Sequence, residues 1–226
     1  MGKKYKEKVT LVKKGELYKP KEAISILKNL GIAKFDETID LSIRLGIDPK
    51  KSDQQVRGTV SLPHGLGKDV KVIVITKGEK IKEAESAGAD LVGGEDLIQK
   101  IFGGWLGFDV LIVTPDLMPK IGKLGKILGR RGLMPSPKKG SVTNDIAKAV
   151  KDFKAGKIEF KSDKFGIIHL PIGKLSFDID KIFDNFVEVY RSIIKAKPST
   201  SKGVYLCSVF LSPTMGPSIR LETSLK

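Results

Sequence analysis

The residue types able to do covalent or metal chemistry are scarce in this chain and badly spaced for it. There are two histidines, His64 and His169, far apart in sequence, and one cysteine, Cys207. No group of them has the spacing of a metal-ligand cluster. The glycine-rich stretch at 122–127 (GKLGKI) has the look of a phosphate loop, but neither Gly-Lys pair is followed by Ser or Thr. Lys120 also stands where the first glycine of such a loop belongs. No Gly-x-Gly-x-x-Gly fingerprint follows a strand-like run. An enzyme is therefore not expected, nor a metal, a cofactor or a small-molecule substrate.

Two stretches could bind instead of react. Residues 117–144 hold seven basic side chains (Lys120, Lys123, Lys126, Arg130, Arg131, Lys138 and Lys139) and no acid. Such a run is either a solvated loop or a surface for phosphates, which supplies affinity without sequence selectivity. The second stretch, SPTMGP at 212–217, combines hydroxyls, one flexible apolar side chain and a glycine. Small groups admit a ligand closely, and hydroxyls and amides can read 2′-hydroxyls and base edges in folded RNA. On its residues alone it reads first as an ordinary strand connection with two prolines.

Composition narrows the partner. The 226 residues carry 41 Lys and Arg against 26 Asp and Glu, a formal charge of +15, which calls for a polyanion. No apolar run approaches the ~20 residues of a membrane span. The basic N-terminus has no apolar stretch behind it and is not a signal peptide. No membrane partner is expected, and nucleic acid is the leading polyanion. A single cysteine excludes an internal disulfide and suits a reducing cytoplasm; it lies in a strand-like run and reads as a small buried hydrophobe. The excess charge is +7 over residues 1–68, +5 over 69–157 and +3 over 158–226.

The elements that would position these groups follow from periodicity. The first ten residues read as a frayed cationic tail, and a helix starts at Pro20 and ends by Gly31. Ile39, Leu41, Ile43, Leu45 and Ile47 alternate with polar residues, the mark of a strand with one buried face. A polar turn leads to a second strand over 56–62, read as its hairpin partner, and a glycine-rich exit follows. From Val70 the pattern changes to near-continuous apolar runs at 70–75 and 110–113, strands covered on both faces. Helix-like segments at 79–87, 95–102 and 145–153 alternate with them, which means a parallel three-layer sheet. After Lys157 a hairpin (158–161 with 167–171), a long amphipathic helix and two strands complete the chain. Neither end makes a convincing domain alone. The expected fold class is α/β with two domains. A discontinuous two-layer α+β domain (1–68 plus 158–226) is interrupted by a three-layer α/β, Rossmann-like domain (69–157). Gly65, Gly67, Lys68, Gly156 and Lys157 lie at the crossings, where a hinge is expected.

Five segments in one order carry a resemblance: KFDETIDLSIRLGIDPKKSDQQVRGTVSLPHGLGK (34–68), GEKIKEAESAGAD (78–90) with VGGEDLIQKI (92–101), LGKILGRRGLMPSPKKG (124–140), AGKIEFKSDKFGIIH (155–169) and SPTMGPSIR (212–220). The text closely resembles the bacterial large-subunit ribosomal protein L-one family, the proteins of the mobile stalk, from about Gly15 onward. The resemblance implies binding to the stalk region of 23S rRNA, contact with exit-site tRNA and help in its release. It also implies repression of the protein's own operon through the leader mRNA, a cytoplasmic, ribosome-associated location, and a monomer when free. A non-ribosomal RNA-binding translational regulator is the alternative.

By the same resemblance, Thr214, Met215 and Gly216 match the RNA-contact motif. Lys34, Phe35, Thr38, Ser208 and Ser212 belong to the interface, and Lys164, Gly166 and His169 join as a turn and a strand position. On sequence alone a phenylalanine at position 35 reads as core rather than contact. Phe165 is a departure from the resemblance, standing where members of that family can have a small polar residue. Lys120, Lys123, Lys126, Arg130 and Arg131 remain available to tRNA or rRNA phosphates.

Overall fold

The computed structural model describes residues 2–13, 15–78 and 80–223. The first stretch forms α1 (Lys3–Val9), α2 (Pro20–Lys28), β1 (Thr38–Leu45) and β2 (Arg57–Ser61). The middle forms β3 (Val72–Ile75), α3 (Lys80–Ser86), β4 (Leu91–Gly93), α4 (Glu95–Phe102), β5 (Val110–Val113), α5 (Met118–Gly122), α6 (Gly125–Arg130) and α7 (Ile146–Lys154). The last forms β6 (Lys157–Lys161), β7 (Ile167–Lys174), α8 (Ile179–Lys195), β8 (Leu206–Pro213) and β9 (Ile219–Leu221). Two compact units result: Met1–Gly67 with Ile158–Lys226, and Lys68–Lys157. Position 79, the expected start of α3, lies outside the described residues.

The first unit is built on a sheet in the order β7-β1-β8-β9, antiparallel throughout. Its inward residues are the apolar half of each alternation: Ile39, Leu41, Ile43 and Leu45, then Ile168, Leu170 and Ile172, then Val209 and Leu211, all buried. The helices α2 and α8 cover that face, Ile24 and Leu27 from one and Ile182, Phe186 and Ile193 from the other. Neither α2 nor α8 covers the opposite face; α1 lies beside Phe210 and Arg220 on it, so that face is partly covered towards β8 and β9.

Both hairpins expected from sequence are absent. β1 pairs with β7 and β8, while β2 pairs with β6 in a separate two-stranded sheet. The end of β1 is tied to the C-terminal segment, with the Leu45 amide donating to Gly166 O (2.8 Å) and the Gly46 amide to Tyr205 O (2.7 Å). Val56 and Ser162 hold the second sheet: the Val56 amide donates to Ser162 Oγ (3.2 Å) and the Ser162 amide to Val56 O (2.9 Å). Turn chemistry favours the nearest strand in sequence, but burial of the shared apolar face decides the partner. Three of the four strand pairings in this unit join its N-terminal segment to its C-terminal one.

Two smaller expectations are also corrected. Cys207 is exposed. A register shift places Ser208 opposite Arg44 but Leu206 opposite Leu45, so the bulge skips Cys207 and turns it out of the core. The cationic tail is helical over Lys3–Val9. Tyr5 and Val9 give it an apolar side next to Phe210, and the Lys8 ammonium donates to Asn29 O at the end of α2.

The second unit is a parallel sheet in the order β4-β3-β5. Alternate residues of β3 enter two cores. Ile73 and Ile75 pack with Leu97 and Ile101 of α4, while Val72 and Val74 pack with Ala84 of α3 and Ala149, Val150 and Phe153 of α7. The arrangement is three-layered. β4 escapes sequence reading because three residues, the last of them the first glycine of a Gly-Gly pair, make no periodic signal. The acid-free run is not merely a loop either. α5 and α6 occupy it, and Ile121 and Leu128 on them join Leu117 and Leu124 just before each helix in one buried row at helical spacing. Gly122, Gly125 and Gly129 conceal that pattern, since glycine is a poor helix former.

Candidate nucleic-acid interface

The strand alternation that buries Ile39 and Leu41 turns Asp40, Ser42 and Arg44 to the opposite face of the sheet. The register sets them in rows. Asp40 lies between Pro171 and Ser212, Ser42 between His169 and Phe210, and Arg44 between Ile167 and Ser208. Arg220 continues the middle row. The Ser42 hydroxyl lies 3.0 Å from His169 Nδ1. The face is polar and holds a single half-buried aromatic, so it is not a platform for stacking successive bases.

At one end of this face, the loop after β8 is welded to the entry of β1. The Thr214 hydroxyl accepts from the Thr38 amide (3.1 Å) and donates to Thr38 O (3.2 Å). Its proton is therefore spent inside the protein, leaving one acceptor lone pair outward. The carboxylate of Glu37, 1% exposed, holds the other side. Its Oε2 accepts from the Met215 amide (2.9 Å), and its Oε1 from the Ile32 and Ala33 amides (both 2.6 Å). A Cβ on Gly216 would lie 2.5 Å from Pro213 Cγ and 2.8 Å from Leu30 O, so the loop can sit this low only with glycine there. What projects is apolar: Met215 and Phe35 are each 58% exposed. Phe35 is thus not core. Lys34 is exposed beside it, and Lys174 Nζ donates to Thr38 Oγ1 (2.9 Å).

Sequence reasoning missed Glu37. The available signal is its register: it shares the parity of Ile39, Leu41 and Ile43, so an acid points inward at the mouth of a buried strand face. Such a group must be hydrogen-bonded. Burial pushes its pKa up, but the amides of Ala33, Met215 and Ile32 outweigh burial and hold it below the ordinary value.

The candidate residues do not form one cluster. Lys34, Phe35, Thr38, Ser212 and Thr214 to Gly216 gather at the start of β1. Lys164 and Gly166 lie in the turn beside its far end, and Ser208 pairs with Arg44 near that end. Seven residues of strand separate the two groups, roughly 23 Å. His169 lies between them, on the exposed face. Gly166 is buried, with a positive φ of 72°, and a Cβ there would lie 3.3 Å from both Leu45 O and Ile47 Cγ1. Its place in the turn is structural. The turn's exposed side chains are Lys164 and Phe165, the latter 78% exposed.

Asp40 is the one acid in these rows. Burial raises its pKa above the ordinary value, and the nearby charges of His169 and Lys174 only partly offset this. An acid with a raised folded-state pKa is destabilising when ionised. That cost is absent at low pH and develops as pH climbs through the raised value. Asp40→Asn should therefore stabilise the protein at pH 7 but not at pH 3, measured as a shift in urea midpoint. It should also tighten RNA binding about fivefold in low salt, the factor for roughly 1 kcal/mol of repulsion between unit charges a few ångströms apart in water.

In the second unit, Lys120, Lys123, Lys126, Arg130 and Arg131 are all exposed. Lys120 is paired with Glu95, which also takes Lys77 at 3.3 Å. The other four have no ion-pair partner among the described residues and are free to meet phosphates. Also among the described residues, no group of His, Cys, Asp and Glu could hold a metal, and no helix is long and apolar enough to cross a membrane.

A half-open antiparallel sheet with a preset loop, interrupted by a parallel α/β unit and strongly basic overall, defines a polyanion-binding protein with two compact units. Residues 26–217 match the ribosomal protein L1p/L10e family. The chain is 57% identical over 221 residues to the large ribosomal subunit protein uL1 of Kosmotoga olearia, covering 98% of this chain and 96% of that one. The chain belongs to the ribosomal protein L1p/L10e family, whose members are structural ribosomal proteins and not enzymes.

Proposed function

We propose that this protein binds the stalk region of 23S rRNA in the large ribosomal subunit through the loop end of its open sheet face. It contacts exit-site tRNA and assists its release, and it represses its own operon by binding a leader mRNA that presents the same RNA shape. Its cytoplasmic, ribosome-associated place follows from the family. The observation that carries the reading is the loop at 214–216: its backbone is locked by Glu37 and Thr38, while Met215 and Phe35 stand exposed. Rigid small and apolar groups suit the shallow minor groove of folded RNA, and scattered lysines add affinity without selectivity.

The division of labour extends to the second unit, which swings so that α5 and α6 reach tRNA or rRNA phosphates. The pivot is narrower than the glycines suggest. Asn185 of α8, fully buried, accepts from the His64 amide (3.1 Å) and donates to Gly65 O (3.0 Å) and Ile172 O (2.8 Å). Gly67 packs on Phe177, where a Cβ would come within 2.8 Å of the ring. Both glycines are thereby held to the first unit, and the proposed pivot falls at Lys68 and at Gly156–Lys157.

A gel-shift panel of stalk rRNA, operon leader and random duplex tests the reading. The first two should bind at similar concentrations and the third far more weakly at physiological salt; equal grip on all three overturns it. Replacing Lys123, Lys126, Arg130 and Arg131 by Gln should leave that ranking intact. It should also flatten the salt dependence of tRNA binding, by about 0.7–0.9 in log–log slope for each phosphate that is no longer neutralised.

A further inference from the structure

α1 and the loop at 214–216 enclose an open cleft of about 610 Å³, lined by Gly2, Lys3, Lys4, Tyr5, Ile32 and Met215. The lining surface is almost wholly apolar. Lys3 and Lys4 are exposed and have no ion-pair partner among the described residues. Two features separate this cleft from an ordinary surface dip. Met215 is held by its backbone, through the amide bond to buried Glu37 (2.9 Å), yet its side chain stands 58% exposed at the cleft wall. A concave, apolar cleft beside a backbone fixed in this way is suited to a flat ligand. The opposite wall belongs to a helix carrying four lysines against one acid, Glu7. The partner is therefore both flat or apolar in its body and anionic at its edges.

We infer that this cleft receives a single unstacked nucleobase of the bound RNA, with Lys3 and Lys4 taking the flanking phosphates. The inference rests on the reading of the loop as the RNA contact. A base turned out of a loop or bulge presents a flat face for an aromatic ring, and a polarisable thioether can close on the other side. Lys3 and Lys4 are exposed residues of the cleft lining, within reach of the sugar–phosphate backbone of such a nucleotide. A membrane surface would want a broader apolar face than one short helix offers, and a peptide would need its own negative charge.

The test uses the full chain and a stalk rRNA fragment in which each unpaired nucleotide is made abasic in turn. Tyr5→Ala should weaken binding about tenfold, the scale of losing one base–aromatic stack. Tyr5→Phe should bind like the parent, whereas Tyr5→Leu, which keeps the helix packed, should not. One abasic RNA should lose about the same factor with the parent protein and lose nothing more with Tyr5→Ala. Lys3→Gln with Lys4→Gln should flatten the salt dependence and keep the same sensitive nucleotide. If no abasic position is coupled to Tyr5, or if Leu restores what Ala loses, the cleft holds no base. Thr214→Ala run alongside separates the two readings. If it too leaves selectivity untouched, the loop assignment itself has failed; if it abolishes selectivity while the Tyr5 series is flat, only the cleft has.

Discussion

Thr214→Ala should weaken binding to stalk rRNA by about 5- to 150-fold, the factor for losing roughly 1–3 kcal/mol of hydrogen bonding. The hydroxyl makes two bonds to the Thr38 backbone, as acceptor at 3.1 Å and as donor at 3.2 Å. Alanine leaves the Thr38 amide and carbonyl without that partner and lets the loop drift from the sheet. The loss is therefore mainly one of preorganisation, and it falls on the cognate RNA more than on random duplex. Thr214→Ser, which keeps the hydroxyl, should restore most of the affinity. Met215→Asp attacks the same loop from outside by setting an anion at its most exposed side chain, and should cost at least as much. A gel shift of all three variants against stalk rRNA and random duplex gives the answer. Unchanged discrimination in Thr214→Ala and Met215→Asp would remove the loop from the recognition surface.

Glu37 should show the second large effect, split between stability and binding by the choice of substitution. Glu37→Ala strands three amides in a buried place and should cost on the order of 3 kcal/mol of folding stability. Glu37→Gln is sharper. Its carbonyl oxygen can keep the Ile32 and Ala33 amides, but its NH2 then faces the Met215 amide, donor against donor. The turn at 32–33 survives, and the loop at 214–216 is pushed away. RNA selectivity should fall nearly as far as in Thr214→Ala, with a much smaller fall in urea midpoint than in Glu37→Ala. The pH dependence has a definite sign. The folded-state pKa lies below the ordinary 4.5, because the three amides outweigh burial. The carboxylate's stabilisation is then complete above that ordinary value and drains away as pH falls through the lower, folded one. The gap in urea midpoint between parent and Glu37→Gln should narrow below about pH 4.5. A gap that widens on acidification would mean that the carboxylate is not what holds this loop.

The interface was only half readable in advance. Thr214, Met215 and Gly216 stand out as text, and so does the acid-free run, because motif and composition survive without coordinates. That the Thr214 proton goes to Thr38, that Gly166 is buried, and that Phe35 stands in solvent are consequences of packing. Each depends on a neighbour far away in the chain. Glu37 left one local trace, an acid in the inward register of β1, but the identity of its partners lay in residues 32, 33 and 215.

From residue order alone came the two-sided alternation of β1, the doubly covered runs of β3 and β5, the amphipathic α8, the cationic surplus and the lack of a phosphate fingerprint. These are periodicities and counts, which the chain carries wherever it goes. Tertiary structure alone decided that β1 lies between β7 and β8 and not beside β2, and that a bulge expels Cys207. It also decided that the stretch 117–128 turns helical and buries Leu117, Ile121, Leu124 and Leu128, and that α1 faces the loop at 214–216 across an open cleft. A strand's apolar face states that it must be covered, not by what. The choice among partners is made by the whole set of faces that must be buried at once.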